Sequence, residues 1–240
     1  MKIAVVTSMH EPYFQGLGRI CINSFKKYWP ADSHMYLYNE GFTIPNTDNV
    51  TCMGFNLGPD YDKFVSSTNY KSWVNQFAKK AFSWIHAFEN IKCDRLIWID
   101  ADCRTLKPPD IDLLLKMCPD DKLSAHMGIW YTDAKDPKHG MIKIDPVYSV
   151  ETGFYIFNPQ HKQATDFVNT YRNYYLNRFS DKMRRFYDGD VYGCTVKDFD
   201  DKLFYDFNPK NSKTALGRSE LKQYFLHLKG KVKKEKKWDL

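Results

Sequence analysis

The sequence contains no Cys-x-x-Cys pair. Its six cysteines (Cys21, Cys52, Cys93, Cys103, Cys118 and Cys194) are scattered, so neither a zinc knuckle nor a thioredoxin-type redox site is encoded. Buried or free thiols in a reducing cytoplasm are the expectation. No stretch approaches the ~18 apolar residues that span a bilayer. The opening MKIAVVTSMHEPYF loses its apolar character at His10, Glu11 and Pro12, too early for a signal-peptide core, and a cytoplasmic location is expected. There is no internal repeat. With 43% hydrophobic, 16% aromatic and 27% charged residues in 240 positions, the chain is neither disordered nor fibrous. It suits one globular domain able to bury a core without disulfides.

The net charge of +6 suggests an anionic partner, but its distribution narrows the choice. Residues 229–240, KGKVKKEKKWDL, carry six lysines against Glu235 and Asp239, so the other 228 positions hold only +2. A surface that coats nucleic acid is not what this pattern describes.

Short apolar, β-branched runs alternate with helical periodicity. KIAVVT (2–7) reads as a buried strand. Pro12 suits a first helical turn, and a helix is expected to about Tyr28, before Pro30. HMYLYN (34–39) reads as a second strand. Residues 41–71, rich in Gly, Pro, Asn and Asp, read as irregular, with one short strand near Val50–Met53. Trp73, Phe77, Ala81, Trp84, Ile85 and Phe88 repeat at spacings of three and four, which predicts a helix over 72–89. RLIWID (95–100) predicts a central parallel strand buried on both faces. LSAHMG (123–128) and GFYIFN (153–158) are further strands, 130–148 a polar loop, and Asn158-Pro159 the start of a helix bearing Phe167, Tyr171, Tyr174 and Tyr175. The fold class is α/β, with a mostly parallel central sheet flanked by helices.

Asp100-Ala101-Asp102 lies at the carboxyl end of the best strand, where open α/β sheets bind ligands. Two carboxylates two residues apart on a strand turning into a loop suit a hard divalent ion such as Mn2+ or Mg2+. Asp-x-Asp recurs at 60/62, 110/112, 188/190 and 198/200; only 100/102 follows an apolar strand. A phosphatase would carry Thr or Val where Arg104 stands.

RLIWIDADCRTLKPP resembles the metal-binding strand of GT-A glycosyltransferases, especially retaining glycosyltransferase family 8. Other segments agree in order: KIAVVTSMHEPYFQGLGRICINSFKKYWP with the nucleotide-holding strand and helix, FAKKAF (77–82) with the helix before the metal strand, and SVETGFYIFNP (149–159) with the sugar-pocket strand. FYDGDVYG (186–193) is similar to an acidic segment beside the acceptor, and HLKGKVKK (227–234) to the His-x-x-Gly-x-x-Lys closing motif. The variants ETGFYIFN and HLKGK look closest to phage and large-virus glycosyltransferases.

The resemblance implies an enzyme moving a sugar from a nucleoside-diphosphate sugar, above all a UDP-sugar, to a hydroxyl acceptor such as a glycan, with retention. It implies Asp100, Asp102 and His227 as metal ligands. Asp100, Ala101 and Asp102 would also bind the nucleotide sugar, together with Lys80. Thr7 and Ser8 would face base or ribose. Gly230 would allow close approach to the diphosphate, and Lys231 or Lys233 would offset its charge. Glu151, Thr152 and Gly153 would contact donor or acceptor sugar. Asp188, or alternatively Asp190, would stand near the reacting carbon or orient the acceptor hydroxyl. Residues 1–107 would form the nucleotide-sugar half of one domain, 108–226 the acceptor half and 227–240 a closing segment. Three departures bear on donor sugar and catalytic role: Glu-Thr-Gly for Asn-Ser-Gly, Asp-Gly-Asp for Asp-Gln-Asp, and Lys234 for a proline.

Two rival readings are weaker. A sugar-1-phosphate nucleotidyltransferase needs an Arg-containing Gly-rich loop that residues 8–19 do not supply. A nucleic-acid-binding module needs a reading motif that is not present, although nucleic acid stays open as the acceptor.

Overall fold

In the computed structural model, residues 1–67, 72–131, 147–177, 187–208 and 216–228 are described. The first apolar run forms β1 (Ile3–His10). Helical turns at Glu11–Tyr13, with Pro12 at their start, and at Phe14–Gly18 lead into α1 (Arg19–Tyr28), which stops at Trp29 before Pro30. Then come β2 (Ser33–Glu40) and β3 (Val50–Met53). A helix, α2 (Pro59–Ser67), lies where irregular chain is expected. Pro59 opens it, a position where a missing N–H and a fixed φ cost nothing, and Phe64 is its only buried residue. α3 (Ser72–Asn90) and β4 (Arg95–Ile99) match the periodicity. They are followed by β5 (Cys103–Thr105) and by α4 (Ile111–Met117), capped by the Asp110 carboxylate accepting from the Leu113 N–H at 3.0 Å.

The region from 123 onward differs more from expectation. LSAHMG splits into β6 (Ser124–His126) and the start of β7 (Gly128–Tyr131), which pairs antiparallel with β8 (Val147–Val150). The ends of the expected loop are therefore strand, and residues 132–146 lie outside the described residues. β9 (Phe154–Phe157) follows. Asn158-Pro159 does not start the next helix: α5 (Ala164–Leu176) begins five residues later. The Asn158 amide instead donates to the carbonyls of Asp120 and Lys122, both at 3.2 Å. The acidic segment opens α6 (Asp188–Lys197), and β10 (Phe204–Asp206) and β11 (Phe225–His227) complete the order.

Seven strands form one sheet in the order β10-β6-β9-β4-β1-β2-β3. The β3–β2–β1–β4 neighbours and the β10–β6 pair are parallel. β9 runs antiparallel between β4 and β6. β4 is thus buried along its whole length as expected, yet parallel to only one neighbour. Its residues alternate between two cores. Leu96 and Trp98 pack under α3, α5 and α6 with Trp84, Tyr155, Phe157 and Tyr192. Ile97 and Ile99 pack under α1 and α4 with Phe25, Trp29, Phe154 and Phe225. The six cysteines are all free thiols.

α6 lies against the backbone of β8 because two glycines four residues apart share the contact face. A Cβ on Gly189 would stand 2.2 Å from the Val150 carbonyl oxygen, and one on Gly193 2.3 Å from that of Tyr148. This approach delivers Asp188 and Asp190, in the first turn of α6, to the strand ends.

His126 on β6 is wholly buried, with Nε2 2.7 Å from the Tyr148 hydroxyl and aromatic contacts to Tyr192 and Phe204. Burial, aided by the Lys197 charge, pushes its pKa down from 6.5 to about 3. The unfolded chain therefore takes up a proton below pH 6.5 that the folded chain refuses. This contribution is fully present above 6.5 and is lost as pH falls toward 3, at ~1.4 kcal/mol per pH unit. Urea unfolding at pH 6.5, 5.5 and 4.5 should show a smaller decline for His126→Gln than for the native chain; equal slopes would contradict the assignment.

Candidate active site

The carboxyl ends of β1, β2 and β4 open onto a cavity of about 850 Å3, the position where parallel α/β sheets hold ligands. Its floor is built from the end of β4. The Asp100 N–H donates to the Gly153 carbonyl at 2.9 Å, and the Cys103 N–H donates to the Asp100 carbonyl at 2.8 Å, so the chain reverses tightly into β5. β5 pairs antiparallel with β11 in a register that puts His227 opposite Cys103. The imidazole consequently meets the acidic pair: Nε2 lies 3.0 Å from Asp102 Oδ1 and 3.7 Å from Asp100 Oδ2. The Leu228 N–H donates to the Asp102 carbonyl at 2.9 Å and locks this arrangement. Gly153 is required beneath the ring, since a Cβ there would stand 2.3 Å from His227 Cε1.

Lys80 reaches the site from α3. Its ammonium donates to Asp100 Oδ1 at 2.6 Å and to the Thr152 carbonyl at 2.7 Å, and pairs with Asp188 Oδ2 at 2.8 Å. It also lies over the Trp98 ring, 5.3 Å from the centroid, while the Trp98 indole N–H donates to Asp100 Oδ1 at 2.9 Å. Burial alone would lower the lysine pKa. The carboxylates of Asp100 and Asp188 more than reverse that pull and hold it above the ordinary lysine value, so Lys80 stays charged. The Thr152 hydroxyl donates to Asp188 Oδ2 at 2.5 Å. Asp100 thus offers one oxygen to Lys80 and Trp98 and turns the other toward His227.

Tyr13 is a site residue that the sequence reading passes over. It lines the cavity, and its hydroxyl donates to Asp102. Burial, then the charge of Asp102 and this hydrogen bond, hold its pKa well above that of a free phenol. The available signal is its place in the first helical turn after β1, at a sheet's ligand-binding edge. The Cys21 thiol is likewise pushed up by burial and by the nearby Asp102 and Asp100 charges.

Of the residues singled out from sequence, Ser8, Lys80, Ala101 and Glu151 line the cavity with Asp100 and Asp102. Thr152, Asp188 and Asp190 line it from the other side. Thr7 does not: strand alternation turns it into the interior, with no exposed surface. Gly153 lies under His227 rather than in the cavity wall, and its N–H donates to Glu151 Oε1 at 3.3 Å. Gly230, Lys231 and Lys233 lie outside the described residues.

Among the described residues, Asp102, Cys103 and His227 form a group able to hold a metal ion, with donor atoms within 4.8 Å of one another. Carboxylate and imidazole donors suit Mn2+ and related divalent ions. Cys103 is the unexpected member; its thiol sits 3.5 Å from the Gly153 carbonyl oxygen.

No protein-family model and no curated protein matches the sequence. Solved structures do match. The galactosyltransferase LgtC in complex with donor and acceptor sugar analogs has a TM-score of 0.54 and 14% identity, over 80% of this chain and 70% of its own. Mouse xyloside xylosyltransferase 1 has a TM-score of 0.52 and 12% identity, over 86% of this chain and 85% of its own. The bifunctional glycosyltransferase WbbM has a TM-score of 0.54 and 13% identity, over 98% of this chain but 44% of its own. The chain therefore has the GT-A-type α/β fold of these glycosyltransferases. No helix among the described residues is long and apolar enough to cross a membrane.

Proposed function

We propose that the chain is a metal-dependent glycosyltransferase. It moves a sugar from a nucleoside-diphosphate sugar, a UDP-sugar first among them, to a hydroxyl acceptor, with retention at the anomeric carbon. The acceptor is a glycan or another hydroxyl-bearing component, including one of phage or viral origin. The observation that carries this reading is the convergence of Asp100, Asp102 and His227 on the floor of a strand-end cavity, beside a lysine shared by two carboxylates.

Asp102 and His227, with the free-facing oxygen of Asp100, would hold Mn2+ or Mg2+. When bound, such an ion offsets the charge of a departing diphosphate. Lys80 pairs with Asp188 and fixes it in place, and Thr152 holds the same carboxylate oxygen. The role proposed for Asp188, with Asp190 as the alternate, is to stand near the reacting carbon or to orient the acceptor hydroxyl. Asp190 and Glu151 are the remaining carboxylates on the far wall. The donor would rest mainly on residues 1–107, which supply Ser8, Lys80 and Asp100, and the acceptor on 108–226. In sequence, Gly230, Lys231 and Lys233 come two to five residues after Leu228, and their role toward the diphosphate belongs to the same proposal.

A hydrolysis screen of UDP-, GDP- and dTDP-sugars with Mn2+ should reveal at least one donor, and EDTA should abolish its turnover. Full activity in EDTA would overturn the metal assignment. Failure with every donor would overturn the class.

A further inference from the structure

Glu40 and Lys79, on the cavity wall, take no part in the chemistry above. Glu40 holds the last position of β2 and Lys79 lies on α3; the same cavity is lined by Phe55, by His10 at the end of β1 and by Tyr13 in the helical turn after it, whose hydroxyl reaches Asp102. Resting on the donor reading just given, we infer that Glu40 and Lys79 read the base of the donor nucleotide and select a lactam base (uracil, thymine or guanine) over cytosine and adenine.

Position is the first argument. The registers align Tyr36, Val6 and Trp98 across β2, β1 and β4, so Asp100 is level with Tyr38 and Glu40 lies two residues further along. Two strand spacings sideways and two residues forward separate Glu40 from Asp100 by about 12 Å along the backbone frame. With the diphosphate anchored at Asp100 and Asp102, a ribose and its base span that gap.

Chemistry is the second argument. Glu40 Oε2 and Lys79 Nζ are 2.5 Å apart, half-shielded from solvent on the cavity wall. Together they present an acceptor beside a donor. A lactam base edge presents the complement, an N–H beside a C=O. Cytosine and adenine present a ring nitrogen acceptor beside an amino group, which sets a lone pair against the carboxylate and N–H groups against the ammonium.

The walls are the third argument. The rings of His10 and Tyr13 stack at 5.8 Å with an interplanar angle of 25°, forming a flat ledge. Phe55, which lines the same cavity, is held edge-on by Tyr61 at 5.7 Å and carries the Lys79 ammonium 5.6 Å from its centroid. Aromatic rings in the cavity wall beside a polar edge suit a flat heteroaromatic ring. The Glu40 charge is also felt at Tyr61, whose hydroxyl is pushed up to about 12, first by burial and then by Glu40 and Asp62.

The test is calorimetric binding of UDP, GDP, CDP and ADP in Mn2+ to the native chain, Glu40→Gln and Lys79→Ala, with melting curves confirming that each is folded. The native chain should bind UDP or GDP about tenfold or more tighter than CDP and ADP. Glu40→Gln should shrink that preference and strengthen CDP binding, because a carboxamide can donate to the cytosine ring nitrogen. Lys79→Ala should weaken UDP or GDP without any gain in CDP. Equal loss for all four nucleotides in Glu40→Gln would assign Glu40 to the ribose or to structure and overturn the inference, as would no discrimination by the native chain. Absence of all nucleotide binding would overturn the donor reading as well.

Discussion

Asp102→Ala is expected to lower donor hydrolysis and sugar transfer about a thousandfold, or ~4 kcal/mol of barrier. The size follows from what the carboxylate holds. Asp102 is 8% exposed and faces the His227 imidazole at 3.0 Å and the Tyr13 hydroxyl. Asp100 cannot replace it, because Lys80 and Trp98 take one of its oxygens and keep the side chain turned toward α3. Mn2+ binding, read by calorimetry without any donor, should fall in parallel. The fold should survive, since the alanine removes a buried charge along with its partners' acceptor and leaves the Leu228–Asp102 backbone bond intact. A variant that keeps Mn2+ affinity and loses only turnover would move Asp102 from metal ligand to sugar contact.

Much of this site was legible in the chain because local pattern and position coincide there. RLIWID is apolar on both faces and ends in acid, and that reads directly as a buried strand with a ligand edge. The periodicity of Trp84, Ile85 and Phe88 likewise places Lys80 beside the inward stripe. The direction of a neighbouring strand leaves no such trace. GFYIFN is as apolar as a parallel strand, so its antiparallel insertion beside β4 is invisible in composition. α2 was missed because its periodic signal rests on Phe64 alone amid residues that favour turns. His227 and Asp102 lie 125 residues apart, and no local rule brings them together; only the order of motifs suggested it. Glu40 closes β2 and Tyr13 stands in the first helical turn after β1, and strand ends with the turns that follow them at one edge of a parallel sheet are the positions worth reading for ligand contacts. The Gly189–Gly193 spacing, read as helical, would have shown that the acidic segment is a helix pressed onto a strand.

Lys80→Met should cost both stability and activity, and the two losses can be separated. The native ammonium stands between Asp100 Oδ1 at 2.6 Å and Asp188 Oδ2 at 2.8 Å, with 13% of its side chain exposed. Methionine fills the volume but leaves two carboxylates facing each other and the Thr152 carbonyl without this donor. Breaking a buried pair costs ~3–5 kcal/mol. The Asp100 side chain is 25% exposed to the cavity, so solvent relieves part of this and about 2–3 kcal/mol is the expectation. Adding Asp188→Asn removes one of the opposing charges and should restore most of the stability in urea, by a coupling that a double-mutant cycle reads directly. Donor hydrolysis should stay about a hundredfold or more down in the double variant, because neither the cation nor the fixed carboxylate is present. Recovery of turnover together with stability would mean that Lys80 only holds the fold.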